Sequence, residues 1–431
     1  MIKQMPKYEA YKDSGVEWIG AIPATWQICR MKYLLSERNE RTTTGKEPLL
    51  ALSKYRGVVL KDSFEERAGR AESLVGYKKV APNQLVINKM QAVNGLLSVS
   101  YISGITSPDY SVYEVKHADI LDIEFLNYTL NLPLYLSEFK RRVTGVMEGF
   151  IRLYTDDLYD IPLLLPPIEE QKDIVRLLKN KSAIVDDAIA IKQNQIELLK
   201  ERKQIIIQQA VTQGLNPDAP MKDSGVDWIG EIPEHWIVKR AKYLLDEINE
   251  RSETGLEELL SVSHMTGVTP RSEKNVTMFM AEDYTGSKLC HSGDLVINIM
   301  WAWMGALGVS DRTGIVSPSY GVFREQREGT FVPKYLEMLL KSTKYVEYYN
   351  KVSTGLHSSR LRFYGHMLFD MALGFPPYEE QTQIVEYISR ECSKVDEAIT
   401  VQAEQVSKLK EYKTTLINSA VTGKIKVTEL V

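Results

Sequence analysis

Pro166-Pro167-Ile168-Glu169-Glu170-Gln171 opens a run that ends at Ala210-Val211-Thr212, and Pro376-Pro377-Tyr378-Glu379-Glu380-Gln381 opens a second that ends at Ala420-Val421-Thr422. Matching residues stand 210 positions apart at both ends. A proline pair followed by carboxylates suits a helix start, where negative charge meets the positive end of the dipole. Further on, Val185, Ile189, Ile196, Leu199, Ile206 and Ala210 recur at steps of three, four and seven. Val395, Ile399, Val406, Leu409, Leu416 and Ala420 repeat that stripe. It is the narrow seam of a coiled coil. Lys192 and Lys203 interrupt the first stripe and Gln402 and Lys413 the second, intrusions that weaken packing but help fix register. Two stripes in one chain pack most simply on each other. Antiparallel packing about a pseudo-twofold axis puts one globule at each end, and residues 183–212 then span on the order of 45 Å.

The duplication extends outward from the helices. Lys12-Asp13-Ser14-Gly15-Val16-Glu17-Trp18-Ile19-Gly20 returns as Lys222-Asp223-Ser224-Gly225-Val226-Asp227-Trp228-Ile229-Gly230, each followed by Ile-Pro and a tryptophan. Its Gly, Pro and Trp content reads as a compact, aromatic-anchored lead-in rather than regular structure. Both copies continue into Arg-x-Lys-Tyr-Leu-Leu, beginning at Arg30 and Arg240. Beyond that point they diverge while keeping register. Leu85-Val86-Ile87-Asn88 matches Leu295-Val296-Ile297-Asn298, and Thr144-Gly145 with Arg152 matches Thr354-Gly355 with Arg362. Runs 95–102 and 110–115, and 305–310 and 320–324, alternate with turn residues as short strands. One amphipathic helix is expected over 124–142 and another over 333–351. The fold class is α+β: two mixed α/β domains in tandem, separated by two long antiparallel coiled-coil helices. Segment boundaries fall at 1–165, 166–214, 215–375 and 376–431, with Gly214-Leu215-Asn216-Pro217 breaking the first helix.

Bulk properties bound the function. The 431 residues suffice for two or three domains, and 44% hydrophobic with 26% charged residues is an ordinary globular balance. Three widely spaced cysteines argue for a reducing compartment and against a disulfide framework or zinc site. No run resembles a signal peptide or a membrane span, so a cytoplasmic location with no membrane partner is expected. A net charge of −4 does not exclude DNA binding, because basic groups can gather on one face. Thr44-Gly45-Lys46 has Glu40 where a phosphate loop needs glycine, and the six histidines lack metal-ligand spacing. No metal site is expected. Phe375-Pro376-Pro377-Tyr378 approaches the amino-methyltransferase loop, yet Phe375 offers no acceptor for a target amine. No catalytic residue is assigned.

The lead-in, the Pro-Pro-x-Glu-Glu-Gln helix start and the Ala-Val-Thr endings, together with the duplication, resemble the specificity subunit of type I restriction–modification enzymes over essentially the whole chain. The first ending departs slightly, with Gln213 before Gly214. The resemblance implies that the segments 1–165 and 215–375 are target-recognition domains, each reading half of a split DNA site. The two helices then act as the spacer. It also implies two methyltransferase subunits docked on this chain, motor–nuclease subunits for restriction, and no enzyme activity of its own. No cofactor is expected on this chain; S-adenosylmethionine, Mg2+ and ATP are expected on the partners. The rival readings are a self-contained DNA methyltransferase or nuclease and a coiled-coil adaptor without a DNA role.

DNA contact must then come from loops. Arg or Lys reads guanine and Asn or Gln reads adenine in the major groove, while phosphate contacts set position. Stretches that differ between copies at matched places are the candidates. They are Lys54-Tyr55-Arg56 against His264-Met265-Thr266; Lys89, Gln91 and Asn94 against Trp301 and Trp303; and 147–152 against His357-Ser358-Ser359-Arg360-Leu361-Arg362. Matched Arg152 and Arg362 suit phosphate contact or structure better than base reading, and Trp301 and Trp303 suit a core role as well as a DNA role. Glu169, Glu170 and Gln171 with Glu379, Glu380 and Gln381, besides the stripe residues, are the candidate docking and spacer positions, with helix capping as the plainer role for the carboxylates.

Overall fold

The computed structural model describes residues 5–63, 73–145, 151–274, 283–355 and 361–427. The chain packs as two compact units, one of Met1–Lys192 with Gln405–Val431, the other of Gln193–Glu404. By packing, therefore, the units cut through both long helices.

In the first unit, Tyr11–Asp13 pairs antiparallel with Ala21–Pro23, giving the lead-in more regular structure than its Gly and Pro content suggested. The turn between them is held by Asp13 Oδ1, which accepts from the Gly15 N–H at 3.0 Å. Trp26 behind it is fully buried. The main sheet is antiparallel in the order Leu35–Arg38, Tyr110–Val115, Gln84–Asn88, Leu97–Ser100. Alternation along these strands serves two cores. Leu85, Ile87 and Tyr113 face the large core with Phe125, Leu126, Tyr135 and Phe139. Val86 and Val112 face a smaller one with Leu50, Leu52, Val58 and Val80. That explains the uninterrupted apolar run Leu85-Val86-Ile87, because both faces of the sheet are covered.

The second unit repeats this plan. Leu245–Glu247, Gly321–Glu325, Leu295–Ile297 and Leu307–Val309 form the sheet in the same order. Leu295, Ile297 and Phe323 face the large core, and Val296 and Val322 the small one. The single helices expected over 124–142 and 333–351 are each two. Ile123–Leu130 is followed by Pro133–Arg142, and Pro333–Leu340 by Thr343–Val352. Pro133 explains the first break, since its ring and missing N–H are tolerated only in a helix's first turn. In the second copy the chain breaks at Lys341 and Ser342 without a proline.

The long helices are Ile168–Gln213 and Tyr378–Val421, of 46 and 44 residues. Phe375 is buried in the preceding strand and Tyr378 begins the helix, so Pro376-Pro377 serves as a helix start. Within the first unit, Lys413 Nζ reaches Asp186 Oδ2 at 2.7 Å and Lys192 hydrogen-bonds Gln405, an antiparallel register. Within the second unit, Lys203 Nζ reaches Asp396 Oδ2 at 2.7 Å, and Ala210 and Val211 share a core with Ile384 and Ile388. The polar breaks in the stripe are thus matched ion pairs, the same pair written twice. Val185, Ala210, Val395, Val406, Leu416 and Ala420 are buried, and the other six stripe residues are half-buried. No helix among the described residues is long and apolar enough to cross a membrane.

Candidate nucleic-acid interface

Each unit presents the three divergent stretches on neighbouring loops. The first is a hairpin tip. Leu50–Ser53 pairs with Gly57–Leu60, and Ser53 Oγ accepts from the N–H groups of Tyr55 and Arg56, leaving Lys54, Tyr55 and Arg56 exposed. Its counterpart pairs Leu260–Ser263 with Gly267–Pro270 and exposes His264, Met265 and Thr266. Gly267 has φ +67°, and a Cβ there would stand 2.8 Å from the Glu337 carboxylate. The hairpin is therefore pressed against the Pro333–Leu340 helix.

The second stretch follows the matched asparagines. Asn88 Oδ1 accepts from the N–H of Met90 at 3.0 Å, and Asn298 Oδ1 from that of Met300 at 3.2 Å. These side chains fold the backbone into a short 3-10 turn. On that turn Asn94 Nδ2 donates to Gln91 Oε1 at 2.7 Å, both residues exposed. In the other copy Trp301 and Trp303 stack with centroids 5.9 Å apart. Trp303 Nε1 donates to the Met300 carbonyl and Trp303 is half-buried, whereas Trp301 is 45% exposed. The pair divides its roles: Trp303 supports and Trp301 faces outward.

The third stretch joins the second at its stem. Leu153 N–H donates to the Lys89 carbonyl and Phe363 N–H to the Ile299 carbonyl, each at 3.0 Å. Arg152 and Arg362 bridge back to Thr144 and Thr354 and are half-buried. His357, Ser358, Ser359 and Arg360, like Met147, lie outside the described residues. The first stretch lies close by in each unit. Lys54 Cε is 3.9 Å from where a Gly95 Cβ would be, and the Gly267 Cα is 2.9 Å from where a Gly308 Cβ would be. All three candidate stretches therefore share one end of their unit.

Beneath the loops of the first unit lies a buried ion pair. Lys78, only 3% exposed, reaches Glu37 at 3.4 Å, while the hydroxyls of Thr155 and Ser111 donate to the same carboxylate at 2.7 and 3.0 Å. Burial pushes the Glu37 carboxyl up, but these donors and the Lys78 charge outweigh it and hold it below the usual carboxylate range. Burial and the nearby Lys89 charge lower the Lys78 amine. The second unit keeps Lys288 and Glu247 at 3.9 Å but has Gly321 and Gly365 where the hydroxyls stood.

Some surface groups escaped the sequence reading. A cleft of about 1400 Å³ in the second unit is lined by Lys203, His264, Met265, Lys334, Lys341 and Asp396 among others. Lys334 and Lys341 match Glu124 and Asn131, so the criterion of divergence between copies also selects them. Tyr154 and Tyr364 are exposed beside Leu153 and Phe363, and being alike in both copies they gave no such signal.

The helix-start residues divide. Glu169 is exposed and pairs with Lys172 at 2.7 Å. Glu170 accepts from the Tyr8 hydroxyl; Glu380 accepts from Trp236 Nε1 at 3.1 Å and contacts His235 Nε2 at 2.6 Å. Gln171 and Gln381 are fully buried, which corrects their place among docking positions. Gln171 Oε1 accepts from the Asp122 N–H, and its Nε2 donates to the Ile120 and Pro166 carbonyls, all at 2.8 Å. Gln381 does the same with Val332, Thr330 and Pro376. Each amide is an internal latch between helix and globule.

Among the described residues, no group of three or more His, Cys, Asp or Glu side chains is placed to hold a metal ion. No family model matches the chain. Among curated proteins it is 26% identical to the type I restriction enzyme MjaVIII specificity subunit of Methanocaldococcus jannaschii, over 76% of each chain. It is 23% identical, over 99% of each chain, to a protein of that organism named for the MjaX specificity subunit. Among solved structures, a chain from a study of type I restriction–modification complex assembly aligns with TM-score 0.65 at 17% identity, covering 93% of this chain and 98% of that one. The HsdS subunit of Thermoanaerobacter tengcongensis aligns with TM-score 0.53 at 16% identity, covering 94% and 98%. In sequence and in fold, the chain is a relative of the specificity subunits of type I restriction enzymes.

Proposed function

We propose that this chain is the non-catalytic, sequence-specific DNA-binding subunit of a type I restriction–modification system. Each unit reads one half of a bipartite site in double-stranded DNA. The observation that carries the reading is one scaffold written twice with different loop tips. Sheet order, asparagine-held turns and glutamine latches repeat, while Lys54-Tyr55-Arg56, Gln91 and Asn94 give way to His264-Met265-Thr266, Trp301 and Trp303. A module that holds its frame and changes its contacts is what two unlike half-sites require. The segments 1–165 and 215–375 act as the target-recognition domains and the long helices as the spacer between half-sites.

Under this reading the chain docks two methyltransferase subunits and, for restriction, motor–nuclease subunits. S-adenosylmethionine, Mg2+ and ATP then belong to those partners, and the complex works in the cytoplasm. An apolar line on the first long helix supports helix-mediated docking. Ile184, Ile191, Leu198 and Ile205 recur every seven residues and are 54–63% exposed. A heptad line left uncovered suits a partner helix.

The test is DNA binding and methyl transfer with purified components. The chain alone should bind duplex DNA weakly, with strong salt dependence, and should become sequence-selective once the methyltransferase subunit is added. Methyl transfer from S-adenosylmethionine should require both proteins. Turnover by the isolated chain would refute the non-catalytic role, and a complex indifferent to DNA sequence would refute the reading itself.

A further inference from the structure

A repeated surface patch lies away from the loops. Arg30, Lys32 and Tyr33 precede the strand Leu35–Arg38, and Arg240, Lys242 and Tyr243 precede Leu245–Glu247. Met31 and Leu34, like Ala241 and Leu244, are buried and anchor each turn. The tyrosines are not. Tyr33 is 61% and Tyr243 64% exposed, with the neighbouring lysine Nζ 5.2 and 5.0 Å from the ring centroid. Among the described residues neither tyrosine hydroxyl makes a hydrogen bond.

The backbone here is held by different means in the two copies. Lys116 Nζ donates to the Lys32 carbonyl at 2.7 Å, and Gln326 Nε2 donates to the Lys242 carbonyl at 3.0 Å. The supporting donor has drifted while the exposed Arg, Lys and Tyr have not. Other exposed residues shared by both copies have structural tasks: Arg41 and Arg251 cap the carbonyls of Gly76 and Gly286 at 2.9 and 2.8 Å. Tyr33 and Tyr243 have no such task in the fold.

Strand register places the patch. Val115 pairs with Leu35 at one end of the Tyr110–Val115 strand, and Tyr110 pairs with Asn88 at the other, where the second divergent loop begins. In the second unit Glu325 pairs with Leu245, and Gly321 with Ile297. A six-residue strand separates its ends by about 17 Å. DNA seated on the loops is therefore remote from the patch, which argues for a protein.

We propose that Arg30, Lys32 and Tyr33, and equally Arg240, Lys242 and Tyr243, are two equivalent docking points for an acidic segment of one protein partner bound in two copies. The cations pair with its carboxylates, and the tyrosine ring gives a flat amphipathic anchor of the kind that dominates binding energy at interfaces. This rests on the proposed function, in which the twice-bound partner is the methyltransferase subunit.

The test uses the full chain and the methyltransferase subunit, with stoichiometry read by native mass spectrometry and affinity by titration. Lys32→Glu with Tyr33→Ala should leave one subunit bound tightly and weaken the second at least about tenfold. Lys242→Glu with Tyr243→Ala should do the same, and all four changes together should weaken both. Lys32→Arg with Tyr33→Phe should keep two, and an unchanged melting midpoint should show that the variants fold. The single change Lys32→Glu repeats the test with less disturbance. Two subunits bound at wild-type affinity by the fourfold variant would overturn the proposal and leave the proposed function standing. A wild-type chain that binds no methyltransferase would overturn both. Loss of binding to a labelled duplex, with both subunits retained, would make the patch a phosphate contact and overturn docking.

Discussion

Glu37 sits where burial and hydrogen bonding oppose each other, and the donors win. A carboxylate held below its unfolded pKa adds stability that is present above the unfolded value and is lost as pH falls through the folded one. Glu37→Gln should therefore lower the thermal midpoint at neutral pH, and the deficit should shrink as the solution is acidified below the ordinary carboxylate range. A deficit independent of pH would show that shape rather than charge holds the site. Gln171→Leu should cost about 3 kcal/mol, because it leaves a buried N–H and two carbonyls without their partner. Urea titration of the two chains is the check. That latch was invisible in sequence: Gln171 reads as a helix-start residue, and only the fold brings Ile120 and Asp122 to it. The loop candidates were legible for the opposite reason, since difference within a fixed register needs no knowledge of packing.

At the scale of elements, the 210-residue repeat gave the long helices their place before any contact was known. Lys203 and Lys413 read as defects in a stripe, but their partners Asp396 and Asp186 lie on the other helix and could not be found by periodicity along one. Both pairs are well exposed, so Lys203→Ala should change stability by less than about 1 kcal/mol. A double-mutant cycle with Asp396→Ala measures it. Leu199→Pro should cost roughly 3 kcal/mol or more and kink the helix. Circular dichroism and melting should register the loss, and restriction or methylation of the wild-type motif by this variant would refute the spacer role. Ile191→Glu with Leu198→Glu changes only exposed side chains, so the melt should shift little while methyltransferase co-purification falls. The helices expected over 124–142 and 333–351 were misread as single because amphipathic spacing continues across each break. Pro133 was a visible warning in one copy; the other had none.

For the molecule as a whole, the claim is modular reading: one frame, two sets of loops, two half-sites. The frame was legible because apolar pattern and duplication constrain it, whereas the bases recognised depend on side-chain geometry that composition does not encode. The most direct measurement is the methylome of the host with this gene present, deleted, and carrying another member's residues in place of 37–160. The account predicts an asymmetric, interrupted motif that disappears on deletion, with only one half altered by the exchange. A continuous motif, or an exchange that rewrites both halves, would contradict it.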